Sequence, residues 1–228
     1  MCGRKTLTKS QRAIIKEYSV EKSNWENSEE YSPNYNIAPT NKNPVLIYND
    51  EKYIKNMRWG LIPHWAKDKK IGTKMINARA ETLDEKKTYK PLLQNHRCIV
   101  ISDGYYEWTG SAGNKQPYYI KKPDHSFMSL AGLWSQWKNE EGKIINSYTV
   151  ITTDPSSQIE HIHDRMPAII NQEQLDTWLD STSSKKDILS LLGPYSEALQ
   201  YYPVSKYVNS TKNNSPKCIE KQPQMFDF

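Results

Sequence analysis

Cys98-Ile99-Val100-Ile101-Ser102, followed without a break by Asp103-Gly104-Tyr105-Tyr106-Glu107-Trp108, is the stretch from which the fold of this chain is read. The first five residues form a continuous apolar run of strand length, rich in β-branched side chains, as a strand buried on both faces requires. Cys98 fits there as a small buried hydrophobe. Downstream, residues 110–116 form a turn rich in Gly, Ser and Asn, and residues 117–120, 127–134 and 147–153 have strand character. Upstream, residues 44–48 and 53–59 alternate as two strands joined across Asn49-Asp50-Glu51. So many short strands with turns between them predict a barrel or a strongly curved sheet.

Helices are few. Thr8-Lys9-Ser10-Gln11 reads as a capping box, and Ala13, Ile14, Ile15 and Tyr18 form an apolar stripe behind it, so a short helix is expected over about residues 9–19. A basic helix is expected within residues 83–94, with Pro91 either starting its last part or breaking it. Residues 172–179 and 185–192 are amphipathic, 201–208 a short closing strand, and the last twenty residues polar loop and tail. The expected class is α/β in the α+β sense. One domain is expected over residues 2–210, with a polar C-terminal tail over 211–228.

Composition bounds the function. The 228 residues are enough to bury a core without disulfides. Lys and Arg exceed Asp and Glu by 31 to 26, a net charge of +5 that permits an anionic partner without demanding one. The three cysteines are far apart, with no C-x-x-C spacing, which disfavours a disulfide framework and a structural zinc. His161 and His163 are two residues apart and so do not make the helical zinc pair, and no metal or other cofactor is expected. Polar residues follow the first four, and no apolar run approaches membrane-spanning length. A cytoplasmic protein without a membrane partner is expected, nucleoid-associated if bacterial, and monomeric.

Met1-Cys2-Gly3-Arg4 places a thiol directly behind the initiator methionine. With Met1 removed, Cys2 carries an amine and a thiol on adjacent carbons, and such a pair condenses with an aldehyde to a Schiff base that the sulfur closes into a thiazolidine. An α-amine near ~7.7–8.0 is substantially unprotonated at neutral pH, where a lysine near ~10.4 is not. An early cysteine is also common without function, so the rest of the chain has to decide. Glu107 sits between Tyr106 and Trp108, where desolvation would let it carry a proton at neutral pH. Residues 76–82 alternate polar with small side chains, a poor recipe for packing that points to a site. Trp59 and Trp65, with Arg58 and the basic run from Lys67 to Lys74, read either as buried core and solvated charge or as a stacking platform for single-stranded nucleic acid.

Taken together, eight stretches resemble the SRAP family, the SOS-response-associated peptidase-like proteins that shield abasic sites in single-stranded DNA. They are residues 1–4, 35–40, 58–63, 77–82, 103–108, 131–134, 163–167 and 204–209, in that order. The resemblance implies one domain built on a curved, barrel-like, mainly antiparallel sheet with peripheral helices. It also implies a cationic groove leading to the mature amino terminus and a self-modifying activity. In that activity the amine of Cys2 attacks the ring-opened abasic sugar, with lyase-like Schiff-base chemistry, and the thiol closes a covalent thiazolidine crosslink. Carried over by position, Glu107 handles protons, His163 protonates or holds the ring oxygen, and Asn77 holds Cys2 and the sugar. Arg4, Arg58 and Arg79 are expected on phosphates, Trp59, Trp65 and Trp108 against bases, and Asn36, Pro39 and Thr152 also on the DNA. The family's older label keeps a second class open, a cysteine peptidase or autopeptidase with Cys2 as nucleophile and His163 as base. A non-covalent single-strand DNA module is a third.

Overall fold

A computed structural model describes residues 2–111 and 113–223 of the chain. Strands β1 (Arg4–Leu7), β2 (Trp25–Glu26), β3 (Asn34–Ile37), β4 (Lys42–Asn49), β5 (Glu51–Trp59), β6 (Asn77–Arg79) and β7 (Arg97–Ser102) occupy the first half. They are followed by β8 (Gly104–Thr109), β9 (Gln116–Lys121), β10 (Met128–Lys138), β11 (Ile144–Thr153), β12 (Met166–Pro167), β13 (Ile169–Ile170) and β14 (Gln200–Pro203). Helices α1 (Gln11–Tyr18), α2 (Lys90–Asn95), α3 (Leu175–Leu179) and α4 (Lys185–Ser190) are short, and the class is α+β. Among the described residues no helix is long and apolar enough to cross a membrane.

The apolar run around Val100 is the inner strand of a closed barrel. β7 lies between β4 and β10, β10 pairs with β11, and β11 returns to β5, the partner of β4. The closing pair is parallel, Ser147 beside Arg58 and Tyr148 beside Trp59, and the other barrel pairs are antiparallel. All six β7 residues are buried, which is why that strand is apolar without alternation. Packing inside is tight at Gly132, where a Cβ would stand 2.8 Å from Val100 Cγ2 and 3.0 Å from Cys98 Sγ. The side chain of Arg97, at the head of β7, donates to the carbonyls of Leu93, Gln94, Trp178 and Asp180, tying the ends of α2 and α3 to the barrel.

At Asp103 the chain leaves the barrel for a second, antiparallel sheet, ordered β14-β9-β8-β1-β3. Within it β1 lies between β8 and the edge strand β3, with Arg4 opposite Tyr106 and Lys5 opposite Tyr105. The Asp103 carboxylate accepts from the Thr6 hydroxyl and from the amide and hydroxyl of Thr8, so β1 is pinned at the corner where the two sheets meet. This arrangement delivers the amino-terminal residues to the space between them.

Several local expectations change. Ser10, not Thr8, caps α1, its hydroxyl accepting from Ala13 N at 3.2 Å, because Thr8 is held by Asp103. Only Lys90–Asn95 is α-helical in the basic segment, with Pro91 in the first turn where its missing amide costs nothing. The closing strand ends at Pro203, and a 3₁₀ turn takes over at Lys206–Asn209. Beyond residue 210, where loop and tail were expected, Asn213 and Asn214 bond back to the domain, Cys218 is buried, and Lys221 bridges to Val204. This segment covers a small apolar cluster of Tyr106, Tyr119, Val204 and Val208 on the outer face of the second sheet. Residues 224–228 lie outside the described residues, as does Met1, whose removal the sequence reading expects.

Candidate active site

The four residues expected to do chemistry come from four places in the chain. Cys2 precedes β1, Asn77 opens β6, Glu107 lies on β8 and His163 on the turn after β11. β6 reaches the site because it pairs in parallel with β11, Asn77 beside Val150. Asn77 Nδ2 then donates to the Cys2 carbonyl at 2.8 Å. Cys2 is buried, at 0% exposure. Burial, and after it the negative carboxyl of Glu107, pushes its thiol up to about 12. The sulfur is therefore held as a thiol, in the electrostatic reach of Glu107.

Glu107 is 3% exposed. Burial raises its carboxyl to about 7, so it exchanges a proton at neutral pH. Its Oε2 stands 3.7 Å from His163 Nε2. The other ring nitrogen, Nδ1, accepts the Arg165 amide at 3.0 Å and lies 2.8 Å from Asp164 Oδ1. Nδ1 cannot serve both at once. In the neutral ring it accepts from Arg165 and the proton sits on Nε2, facing Glu107; in the imidazolium Nδ1–H turns to Asp164. Burial lowers the His163 pKa, which favours the neutral ring.

The turn carrying His163 is clamped by Arg165, a residue the sequence reading did not single out. Its guanidinium holds Asp154 at 2.7 Å, Glu81 at 2.9 Å and the Thr152 carbonyl at 2.7 Å. Glu81 follows β6 in the chain, so one buried cation locks the His163 turn to the segment that presents Asn77 and Arg79. Lys5 is a second residue missed. It is fully buried opposite Tyr105, and its parity with Leu7 on β1, both core-facing, is the signal that alternation carried.

The residues expected on DNA divide into two groups. Trp65 is 57% exposed, Arg79 is exposed, and Pro39, Arg58 and Trp108 are partly exposed. Trp65 sits on the strap between Gly60 and Gly72, whose backbones approach so closely that a Cβ on Gly60 would lie 2.4 Å from the Gly72 carbonyl oxygen. Arg58 donates to the Gly60 carbonyl at 3.2 Å, and Lys67, Lys69, Lys70 and Lys74 further along the chain are exposed. The second group is inside. Trp59 is fully buried, stacked on Tyr148 at 6.3 Å and donating to the Ile76 carbonyl, so it belongs to the barrel wall and not to a DNA surface. Thr152 is likewise buried.

Asn36 corrects the expectation in the same way. It is 2% exposed, and its Nδ2 is engaged by the carbonyls of Val208, Ser210 and Asn213 while its Oδ1 accepts from Arg4 at 2.7 Å. Arg4 also donates to the Val208 carbonyl and stacks over Trp108 at 5.7 Å, and Trp108 Nε1 donates to Asn209 at 2.8 Å. Arg4 and Asn36 thus bind the C-terminal segment to the second sheet. Among the described residues no group of three or more His, Cys, Asp or Glu side chains could hold a metal.

Comparison with known proteins shows the family. The chain is 44% identical over 225 residues to "Abasic site processing protein YoqW" of Bacillus subtilis (strain 168), covering 96% of this chain and 99% of that one. It is 35% identical to "Abasic site processing protein HMCES" of Xenopus tropicalis over 96% of this chain and 78% of that protein. An X-ray structure of a protein from Bacteroides thetaiotaomicron superposes with a TM-score of 0.83 at 28% identity, covering 97% of this chain and all of that one. Residues 1–211 match the family model described as "SOS response associated peptidase (SRAP)", and the chain belongs to that family.

Proposed function

We propose that the protein traps abasic sites in single-stranded DNA by a covalent thiazolidine at Cys2, once Met1 has been removed. The observation that carries this reading is the position of Cys2. Asn77 grips its carbonyl, and a carboxyl titrating near neutrality stands beside it, in ion-pair reach of an imidazole. The names of the relatives, abasic site processing proteins, support the same substrate.

The steps use those groups in turn. The closed abasic sugar opens when its anomeric hydroxyl loses a proton and its ring oxygen gains one; ionised Glu107 serves as base and His163 as donor. The free Cys2 amine adds to the aldehyde carbon. Loss of water from the resulting carbinolamine requires an acid, which protonated Glu107 supplies, and an iminium remains. Sulfur then closes on the iminium carbon, a proton leaves sulfur, and the ring is a neutral thiazolidine. Trp65 stacks on an unpaired base, and Arg79 and the strap lysines take phosphates, which is the basis for single-strand preference.

The raised thiol speaks against the peptidase reading. A nucleophilic cysteine is activated by a depressed pKa, and burial here does the opposite. In the trap the amine attacks first and sulfur reacts intramolecularly, so a protonated thiol is no obstacle at the start. The test is incubation with single-stranded DNA bearing one abasic site, followed by denaturing electrophoresis and intact mass. A denaturation-stable adduct on chains lacking Met1, absent for Cys2→Ala and for chains acetylated on the α-amine, is expected. An adduct that forms with Met1 retained, or that survives Cys2→Ala, refutes the mechanism.

A further inference from the structure

The strap that carries Trp65, residues 60–75, is rooted in the barrel where it leaves β5. Gly60 N donates to the Tyr148 carbonyl at 2.8 Å and Ile62 N to the Ser147 hydroxyl at 2.8 Å, while Leu61 N donates to the Met75 carbonyl at 3.1 Å and closes the neck. Beyond that root the strap folds on itself. Ala66 N returns to the Pro63 carbonyl at 2.9 Å, so Trp65 is the third residue of a four-residue turn. The Ala66 carbonyl, next in the chain, accepts from the Trp137 indole Nε1 at 2.6 Å. Among the described residues, this is the one hydrogen bond that residues 63–74 make to anything outside the strap.

Trp137 stands at the far end of β10, where burial alternates residue by residue, Ser135 and Trp137 buried and Gln136 and Lys138 exposed. That parity puts Trp137 on the face of Ser135, whose cross-strand partner Ser147 holds Ile62 of the strap. The indole is 7% exposed, too little to offer a base a stacking face, and its single N–H goes to strap backbone. A cavity of about 480 Å³ lies beside it, lined by Lys67 and Lys69 of the strap and by Glu141 and Lys143 of the β10–β11 hairpin. The strap therefore has room to move on that side, and the indole bond is what ties it down. We propose that Trp137 is a positioning residue for DNA, holding the turn so that the Trp65 ring is set in place before a base arrives. The inference rests on the stacking of Trp65 proposed above and adds the residue that fixes it. A ring already held does not have to offset the entropy of ordering its loop when the strand binds.

The experiment is a double-mutant cycle on affinity for undamaged single-stranded DNA, read by fluorescence anisotropy, so the covalent chemistry does not enter. Trp137→Phe keeps an aromatic ring and deletes the donor. In the otherwise wild-type chain it should weaken binding by about threefold to tenfold, what one net hydrogen bond yields. On the Trp65→Ala background the same change should weaken binding by less than about twofold, because the group it positions is gone. A loss below about threefold in the first case, or of about twofold or more in the second, overturns the proposal. If Trp65→Ala itself binds as wild type does, the stacking reading falls, and the role of Trp137 with it. If Trp65→Ala weakens binding and Trp137→Phe does not, the role of Trp137 falls alone. Should Trp137→Phe not fold, ¹⁵N relaxation of the wild-type protein decides. Order parameters for residues 63–71 near the ~0.85 of rigid backbone support a held strap, and values below about 0.6 refute it.

Discussion

Replacing Glu107 by glutamine tests the central electrostatic feature of the site without reference to DNA. Burial raises this carboxyl from its ordinary 4.5 to about 7. In the folded chain it therefore stays protonated over a range where the unfolded chain has released the proton. The sign follows: between those two values the native state binds more protons, so stability falls as pH rises, and the loss is complete above the folded pKa. At about 1.4 kcal/mol per unit of pKa, ionising Glu107 in place costs about 3 kcal/mol. Glutamine keeps the shape and removes the ionisation. Urea unfolding of both proteins at about pH 5 and about pH 8.5 should give curves that nearly coincide at the lower pH and separate by about 2–3 kcal/mol at the higher, with Glu107→Gln the more stable. His163 titrates in both proteins and largely cancels in the difference. The same substitution should slow adduct formation by ~10²-fold or more, the usual yield of a positioned acid or base. A stability gap that does not change with pH would mean that Glu107 ionises as a surface carboxyl does, and the proton-handling role would fall with it.

Three further outcomes follow from where the structure places the groups expected on DNA. Trp65→Ala should weaken binding to undamaged single-stranded DNA by about 1–3 kcal/mol, read by fluorescence anisotropy, because the ring is exposed and offers a stacking face. Arg79→Ala should lower the slope of log K against log salt by about 0.7, the yield of one phosphate contact on a single strand, and an unchanged slope would take it off the DNA. Asn36→Ala should cost about 1–3 kcal/mol of stability in chemical denaturation, since three carbonyls of the C-terminal segment lose their donor, while affinity for DNA stays as it was.

Much of the barrel was legible in the linear order of residues. Continuous apolar side chains mark β7 because that strand is buried on both faces, and the hairpin of β4 and β5 announces itself by alternation and by Asp50 at its tip, in the left-handed conformation that Asp tolerates. The candidate site was legible for a different reason. The proposed trap calls for an amine, a thiol, a carboxyl, an imidazole and an amide by type, and Cys2, Glu107, His163 and Asn77 stand in motifs short enough to read one at a time.

Burial was not legible for single residues within those motifs. Trp59 and Trp65 occur six positions apart in the same aromatic, basic segment, yet one lines the barrel wall and the other stands 57% exposed. The difference arises because β5 closes the barrel in parallel against β11 and brings Tyr148 over Trp59, a contact between residues far apart in the chain. Asn36 and Arg4 likewise look like ligand-binding groups until the segment after residue 203 folds back on them. Lys5 differs from a surface lysine only in the strand face it shares with Leu7, and Arg165 becomes a clamp only when Glu81 and Asp154 converge on it. Local sequence determines which groups are present and which strands form, because propensity and alternation act over a few residues. Which of those groups meets solvent, a proton partner or another segment is decided by non-local strand pairing, and that exists only once the chain has closed on itself.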